Sequence, residues 1–507
     1  MPEQLQLKSH KPGDDITIMN TLCKNFKDKN DRTHEGLILV YKDNTTGLKY
    51  KEEIEDPLYT YYLAKPDARV NYNRLFEEKD KLEPVEAVHR YIDRDIAEST
   101  GHMRFYKDNQ TTGNFRENAK LHALPDVFRS DMNIEDYYRF LFGKTYTNEP
   151  GPVTKSYLDI EVDTLYMSGD FPEPGECPVN AVTLILPYMN KVFTFLLEED
   201  RNPQIIDFKK SVEDGSVFPE LKAFVINAVG GQERAEHFGI DKFEYNFLIY
   251  PKHKEIYLIK DVFAAINNFK PDFCLAWNMS FDIPYLIARI QRLGARPEEI
   301  ICHPDFNLKY CDYFVDERMK NELAERGDFA NISSYTVYID QMIQYASRRK
   351  GRSRPLSYSL DYTGETVAKV KKLDYKHITT NISELPYKDY KTFVFYNIMD
   401  VIVQVCIEAK TGDIDYMFSK AIVNNTRYSK VHRQTVYLTN RGIKEFDKSG
   451  LIMGNNVNKF NPPPTEKFPG AYVADMTRLK DTSKMRICGV PISIFDNLND
   501  FDKRIVA

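Results

Sequence analysis

Two apolar, β-prone runs near the N-terminus, Gly36-Leu-Ile-Leu-Val-Tyr41 and Tyr59-Thr-Tyr-Tyr-Leu63, flank the turn signal Asp43-Asn-Thr-Thr-Gly47 and predict a sheet there. From about residue 150 to 412 strand-like and helix-like patterns alternate. A β-prone run around Tyr157, Leu158 and Ile160 is followed by Val182-Thr-Leu-Ile-Leu-Pro-Tyr188 and Val192-Phe-Thr-Phe-Leu-Leu197, which read as a hairpin. Ile259, Val262, Phe263 and Ile266 carry helical spacing. Phe273-Cys-Leu-Ala-Trp277 reads as a buried strand leading into Ile283, Leu286, Ile287 and Ile290 at i, i+3, i+4, i+7, with Pro284 suiting the helix's first turn and Gly294 its end. The pattern is that of an α/β fold.

Into this apolar frame the chain sets four carboxylates. Asp159 and Glu161 in Ser156-Tyr-Leu-Asp-Ile-Glu-Val162 are two apart, so a strand's alternation puts both on one face. Asp282 in Asn278-Met-Ser-Phe-Asp282 falls at the predicted strand-to-helix junction. Tyr396 and Asp400 in Tyr396-Asn-Ile-Met-Asp400 are four apart in a helical pattern continued by Val403 and Ile407, so they share a face. A lone Asp-x-Glu says little in a chain with 75 acidic residues. Three acidic segments among core-forming residues say more, because a carboxylate in such company must be paired, coordinated or protonated. Gathered carboxylates suit two hard divalent cations, Mg²⁺ or Mn²⁺, and a two-metal site suits phosphodiester hydrolysis.

These segments resemble the Exo I, Exo II and Exo III motifs of the proofreading exonuclease of family B DNA polymerases, the third in the Tyr-x-x-x-Asp form of the tyrosine branch of DEDD nucleases. Pro355-Leu-Ser-Tyr-Ser-Leu-Asp-Tyr362, followed by Lys371-Lys-Leu373, resembles the stretch before Exo III in the T-even phage type, and Phe468-Pro-Gly-Ala-Tyr-Val473 resembles the segment leading into the palm. The resemblance runs from about residue 35 to 500. It implies a ribonuclease H-like exonuclease domain over 150–412, a β-containing N-terminal domain over 1–149, a return to that domain over 413–460, and a linker with the start of a palm over 461–507. Pro462-Pro-Pro464 marks that linker. Phe495-Asp-Asn-Leu-Asn-Asp-Phe-Asp502 resembles the approach to palm motif A, yet no complete palm or fingers motif follows. The expectation is therefore half of a split polymerase or a truncated one, which adds no nucleotides alone and has as partner a second chain carrying palm, fingers and thumb.

The resemblance also implies roles. Asp159, Glu161, Asp282 and Asp400 would hold two Mg²⁺ or Mn²⁺ ions, with Asp159 bridging both and Tyr396 orienting the attacking water. Its phenol, with an ordinary pKa of about 10, is too weak an acid to serve as a phenolate base. Asn278 and Phe281 would hold and stack the terminal nucleotides of single-stranded or frayed DNA, and Ser359 and Leu360 match positions that contact the strand. The expected reaction is 3′-to-5′ exonucleolytic release of nucleoside monophosphates. Two alternatives share these features: a non-catalytic DNA-binding subunit that completes a polymerase, and a DEDD exonuclease acting on RNA.

Composition modifies the picture locally. The net charge of −6 does not advertise a nucleic-acid binder, but Arg348, Arg349, Lys350, Arg352 and Arg354 form a basic run able to contact backbone phosphates, or simply an exposed charged loop. The 507 residues suggest two or three domains. Seven cysteines without a C-x-x-C pair indicate neither a zinc site nor a disulfide framework. Met1-Pro-Glu-Gln-Leu-Gln-Leu-Lys8 lacks the layout of a signal peptide, and no apolar run approaches the roughly 18 residues of a membrane span. A soluble cytoplasmic protein is expected, in the host cell if phage-encoded.

Overall fold

The computed structural model describes residues 4–66, 76–107, 115–165, 167, 172–198, 202–315, 322–326, 329–350, 354–455, 486–487 and 490–491. Near the N-terminus β1 (Ile16–Lys27), β2 (Thr33–Asp43) and β3 (Lys49–Glu55) form an antiparallel sheet. The Asp43 turn joins β2 to β3: its carboxylate accepts from the amides of Thr45 and Thr46 at 2.8 Å, and Gly47 takes a positive φ of 72°. The turn therefore does not link the two strands read from the sequence, because Tyr59–Leu63 belongs to β4 (Leu58–Ala64) in another sheet. Polar Lys49-Tyr-Lys-Glu-Glu-Ile-Glu55 hides β3 from a hydrophobic pattern, since only one of its residues is buried. Further strands here are β5 (Phe76–Glu78), β6 (Leu82–Val88) and β7 (Val127–Phe128), with β4 between β6 and β7.

The acidic segments sit on a mixed sheet of eight strands. In chain order these are β8 (Lys155–Val162), β9 (Val179–Leu186), β10 (Lys191–Glu198), β11 (Glu244–Pro251), β12 (Phe273–Ala276), β13 (Phe314–Val315), β14 (Phe329–Asn331) and β15 (Val337–Asp340). Their spatial order is β11-β10-β9-β8-β12-β15-β14-β13. The predicted hairpin is present, with β9 antiparallel to both β8 and β10; β12 is parallel to β8, and β15 is parallel to β12. β9 is buried along its whole length, polar Asn180 and Thr183 included, as a strand covered on both faces is. The predicted helix over Glu255–Phe269 buries Ile259, Val262, Phe263 and Ile266.

Helix Tyr390–Thr411 packs on β8 and β9. Asp389 caps its start by accepting from the Thr392 amide at 3.0 Å, and Gly412 ends it at a φ of 56°. Among the described residues it alone is long and apolar enough to cross a membrane, which no uninterrupted apolar run had indicated. It is instead a core helix, burying Val394, Ile398, Val401, Ile402 and Val405, each such side chain worth about 1.5–3 kcal/mol. That apolar burial offsets the cost of also burying Asn397 and Asp400.

The β1–β3 sheet is joined to the eight-stranded sheet through Asp272, 1% exposed, which pairs with Lys42 at 3.0 Å and Lys49 at 2.9 Å and accepts from the Thr154 amide at 2.7 Å. After the helices Asp413–Val423 and Gln434–Lys448 the chain returns to the N-terminal strands, where β16 (Leu451–Met453) pairs with β5 and the Tyr428 hydroxyl donates to the Met19 carbonyl at 2.6 Å. The expected linker and palm segment, with Phe468–Val473 and Asp496, Asp500 and Asp502, lies outside the described residues apart from a short β17–β18 pair (Arg486–Ile487, Val490–Pro491).

Candidate active site

Asp159 and Glu161 project from one face of β8, the middle of the mixed sheet, and a register shift between Glu161 and Val162 ends the regular pairing beside them. Asp400 descends onto them from helix Tyr390–Thr411. One carboxylate oxygen from each of the three lies within 4.8 Å of the other two. Asp282, in the first turn of helix Met279–Arg292, is not in this close set, but its charge acts on Asp159 and the charge of Glu161 acts on it. The helix starts at Met279, earlier than its apolar spacing predicts, so Pro284 lies inside it and not in its first turn.

Asp282 and Asp400 are buried, while Asp159 and Glu161 keep partial solvent access. The crowding raises all four carboxyls. Burial, then Asp400, Asp282 and Glu161, hold Asp159 well above the ordinary carboxylate range. Burial and Asp400 push Glu161 up to about 8. Burial, Asp340 and Glu161 raise Asp282, and burial raises Asp400 against the opposing pull of Lys372. Like charges this close resist joint ionisation unless a cation joins them.

Lys372 is part of that compensation. Its ammonium donates to Asp400 Oδ2 and lies 3.4 Å from the Tyr396 hydroxyl. Tyr396 is 7% exposed and its phenol is pushed up by burial and by Asp400, so it stays protonated. The Tyr375 ring meets it edge-on at 5.4 Å. Asp400 Oδ1, in contrast, is buried and takes no hydrogen bond among the described residues. A carboxylate with an unsatisfied buried oxygen, in a close set with two further carboxylates, is a donor set fit for a hard cation such as Mg²⁺ or Mn²⁺.

The remaining expected residues divide. Trp277 Nε1 donates to the Tyr358 carbonyl at 2.9 Å, which ties the segment before Ser359 to the end of β12. Asn278 is exposed and accepts from the Ser280 hydroxyl at 3.0 Å; Phe281 is half-buried, its ring 5.2 Å from that of Tyr285. Ser359 caps the turn Leu360–Thr363, and Leu360 is buried. Arg348 and Arg349 both donate to Asp413, at 2.7 Å each, and Lys350 lies 3.5 Å from Glu325. Three of the basic side chains thus have carboxylate partners within the fold. Arg354 is exposed, and Arg352 lies outside the described residues.

Sequence reasoning missed three contributors. Lys372 stood in a segment quoted only for its resemblance. Asp340, 1% exposed, accepts from Met279 N at 3.0 Å and Ile343 N at 2.8 Å, tying the starts of two helices together behind Asp282; its place before an apolar run was the available capping signal. Asn397, fully buried, donates to Asp159 Oδ2 at 3.2 Å, and nothing in its spacing foretold that contact.

The family described as DNA polymerase family B, exonuclease domain, matches residues 99–362, just over half of the 507. The match takes in Asp159, Glu161 and Asp282 and stops before Lys372, Tyr396 and Asp400. The chain is also similar to the DNA-directed DNA polymerase of Escherichia phage RB69, at 24% identity over 369 residues covering 70% of this chain and 36% of that polymerase. It therefore spans roughly a third of the length of that relative.

Proposed function

The chain belongs to the family B DNA polymerases by its exonuclease domain, and from that premise we propose that it is a 3′-to-5′ DNA exonuclease that removes single nucleotides from single-stranded or frayed ends. The observation that carries this reading is the close set of Asp159, Glu161 and Asp400 oxygens, with one Asp400 oxygen left unsatisfied in the interior. The order of strands β8 to β10, β12 and β15, with only β9 reversed among the central five, supports a ribonuclease H-like fold for this part. We take 1–149, 150–412, 413–460 and 461–507 as its divisions.

Asp159, Glu161 and Asp400 would hold the cations, with Asp282 assisting at the second. Divalent ions bound there would supply a water of lowered pKa and positive charge beside the phosphate oxygens. The chain's own residues do the positioning. Tyr396, protonated and beside Lys372, offers a hydroxyl that orients the attacking water as a donor or acceptor without removing its proton. Asn278 and Phe281 would receive the terminal nucleotide, the exposed amide by hydrogen bonding and the half-buried ring by stacking. Ser359 and Leu360, tied to that end of the sheet through Trp277, would border the strand's path, with exposed Arg354 available to phosphates. Proofreading alongside a polymerase palm, fingers and thumb is the biological setting we propose.

The test is release of nucleotides from the 3′ end of labelled single-stranded DNA with Mg²⁺ or Mn²⁺, abolished by EDTA. Asp159→Ala should lower the rate by several orders of magnitude, since losing a carboxylate that would hold the cations forfeits several kcal/mol of transition-state stabilisation. Undiminished cleavage by that variant sinks the assignment.

A further inference from the structure

Asp159, Thr183 and Thr194 stand side by side on three adjoining strands: Asp159 is opposite Thr183 in the β8–β9 pairing, and Thr183 is opposite Thr194 in the β9–β10 pairing. Asn397, from the long helix packed over this face, meets the row. Its amide nitrogen donates to Asp159 Oδ2 at 3.2 Å, and its amide oxygen accepts from the Thr183 hydroxyl at 2.6 Å. The Thr183 and Thr194 hydroxyl oxygens are 3.1 Å apart. A hydroxyl has one proton to give, and Thr183 gives its proton to Asn397, so Thr194 is the donor in the remaining contact. Every link then points one way, from Thr194 through Thr183 and Asn397 to Asp159.

Burial makes the direction binding. Asn397 and Thr183 are 0% exposed and Thr194 is 1% exposed, so none can exchange its partner for water. An Asn side chain can present either oxygen or nitrogen to a neighbour; with its oxygen claimed by Thr183, Asn397 can present only N–H to Asp159. Packing alone does not ask for this arrangement, because valine has nearly the shape of threonine and suits a fully buried strand better.

Resting on the exonuclease reading, we infer that Asn397 and Thr183 are positioning residues of the cation site: they form a one-way donor relay that holds Asp159 in a single orientation for metal binding. Neither residue touches the cation or substrate. Groups that orient a metal ligand from behind commonly govern affinity by about 10–100-fold.

The experiment measures the midpoint of Mn²⁺ binding by the full chain without DNA, from calorimetry and from the rise in melting temperature. Thr183→Val and Asn397→Leu should each move the midpoint at least about tenfold higher. Thr183→Ser, which keeps the hydroxyl, should stay within about twofold of the unaltered chain. The double variant should be no weaker than Asn397→Leu alone, because Thr183 acts only through Asn397. Melting in EDTA identifies any variant that has not folded, and Thr183→Ser and Asn397→Leu are each readable without Thr183→Val. An unchanged midpoint in Thr183→Val, an equal loss in Thr183→Ser, or additive losses in the double variant would each overturn the relay. A chain that responds to Mn²⁺ and cleaves DNA but shows any of these keeps its exonuclease reading; one with neither response loses both.

Discussion

Lys372 and Asp400 form an ion pair whose carboxylate is 4% exposed and whose ammonium also acts on Asp159 and Glu161, opposing the rise in both. The lysine occupies one oxygen of Asp400 and leaves the other bare. It thereby lets the acidic set fold without fully cancelling its charge, which preserves the set's appetite for a cation.

Replacing this lysine should therefore expose the strain it relieves. Lys372→Met leaves buried carboxylates uncompensated, and breaking such a pair costs about 3–5 kcal/mol when both partners are deeply buried. With the lysine side chain 27% exposed, about 2 kcal/mol is the better expectation. Saturating Mn²⁺ should recover most of the loss, since the ion supplies the missing charge. Calorimetric melting with and without Mn²⁺ decides it: a loss of the same size in both conditions would mean that Lys372 contributes packing and not charge.

A pH dependence follows from Glu161, held at about 8 when no cation is bound. Its ordinary value in an unfolded chain is about 4.3, so between these limits the folded state binds more protons than the unfolded one. Stability of the metal-free protein must then fall as pH rises through that window. Glu161→Gln cannot titrate and should flatten the part of the slope that belongs to this residue. Melting temperatures in EDTA from pH 5 to 8.5 provide the check, and a slope identical in both proteins would refute the claim.

How much of this could be read without the fold is clearest at particular residues. Period-2 spacing placed Asp159 and Glu161 on one strand face, and fourfold spacing placed Tyr396 and Asp400 on one helix face, because those relations depend only on local geometry. Lys372, Asn397 and Thr183 were illegible as site residues: their partners lie 28, 238 and 214 positions away in sequence, and only the tertiary fold brings them together. The basic run over Arg348–Arg354 shows the opposite failure. A charge pattern cannot reveal that Asp413, 65 residues beyond Arg348, will engage two of its members. β3 was missed because its sequence is polar and only one of its residues is buried.

The junction around Asp272 offers a stability test remote from the carboxylates. Lys49 is 5% exposed and burial brings its ammonium down to about 8, even with Asp272 beside it. Asp272→Asn removes the charge opposing both Lys42 and Lys49, and should destabilise the fold by about 3–5 kcal/mol, because an uncompensated ammonium is left in the interior. Asp272→Asn combined with Lys49→Met should recover part of that loss. Urea unfolding measures both; a single variant within 1 kcal/mol of the unaltered chain would show that water reaches this junction.

The roles of Tyr396 and Asp400 can be separated although one helix turn holds both. Tyr396→Phe deletes a hydroxyl and little volume, leaving the ring packed edge-on against Tyr375 and all four carboxylates in place. If the hydroxyl only orients water, this variant should bind Mn²⁺ and DNA normally and cleave at a lower maximal rate, by about 10–100-fold as for loss of one positioned hydrogen bond in a transition state. Asp400→Ala removes the carboxylate with the unsatisfied oxygen, so its Mn²⁺ midpoint should move upward as well. Single-turnover cleavage across a Mn²⁺ titration distinguishes a lowered plateau from a displaced midpoint. Equal midpoint shifts in the two variants would assign Tyr396 to the support of the cation site through Lys372, and full activity in Tyr396→Phe would remove it from the reaction.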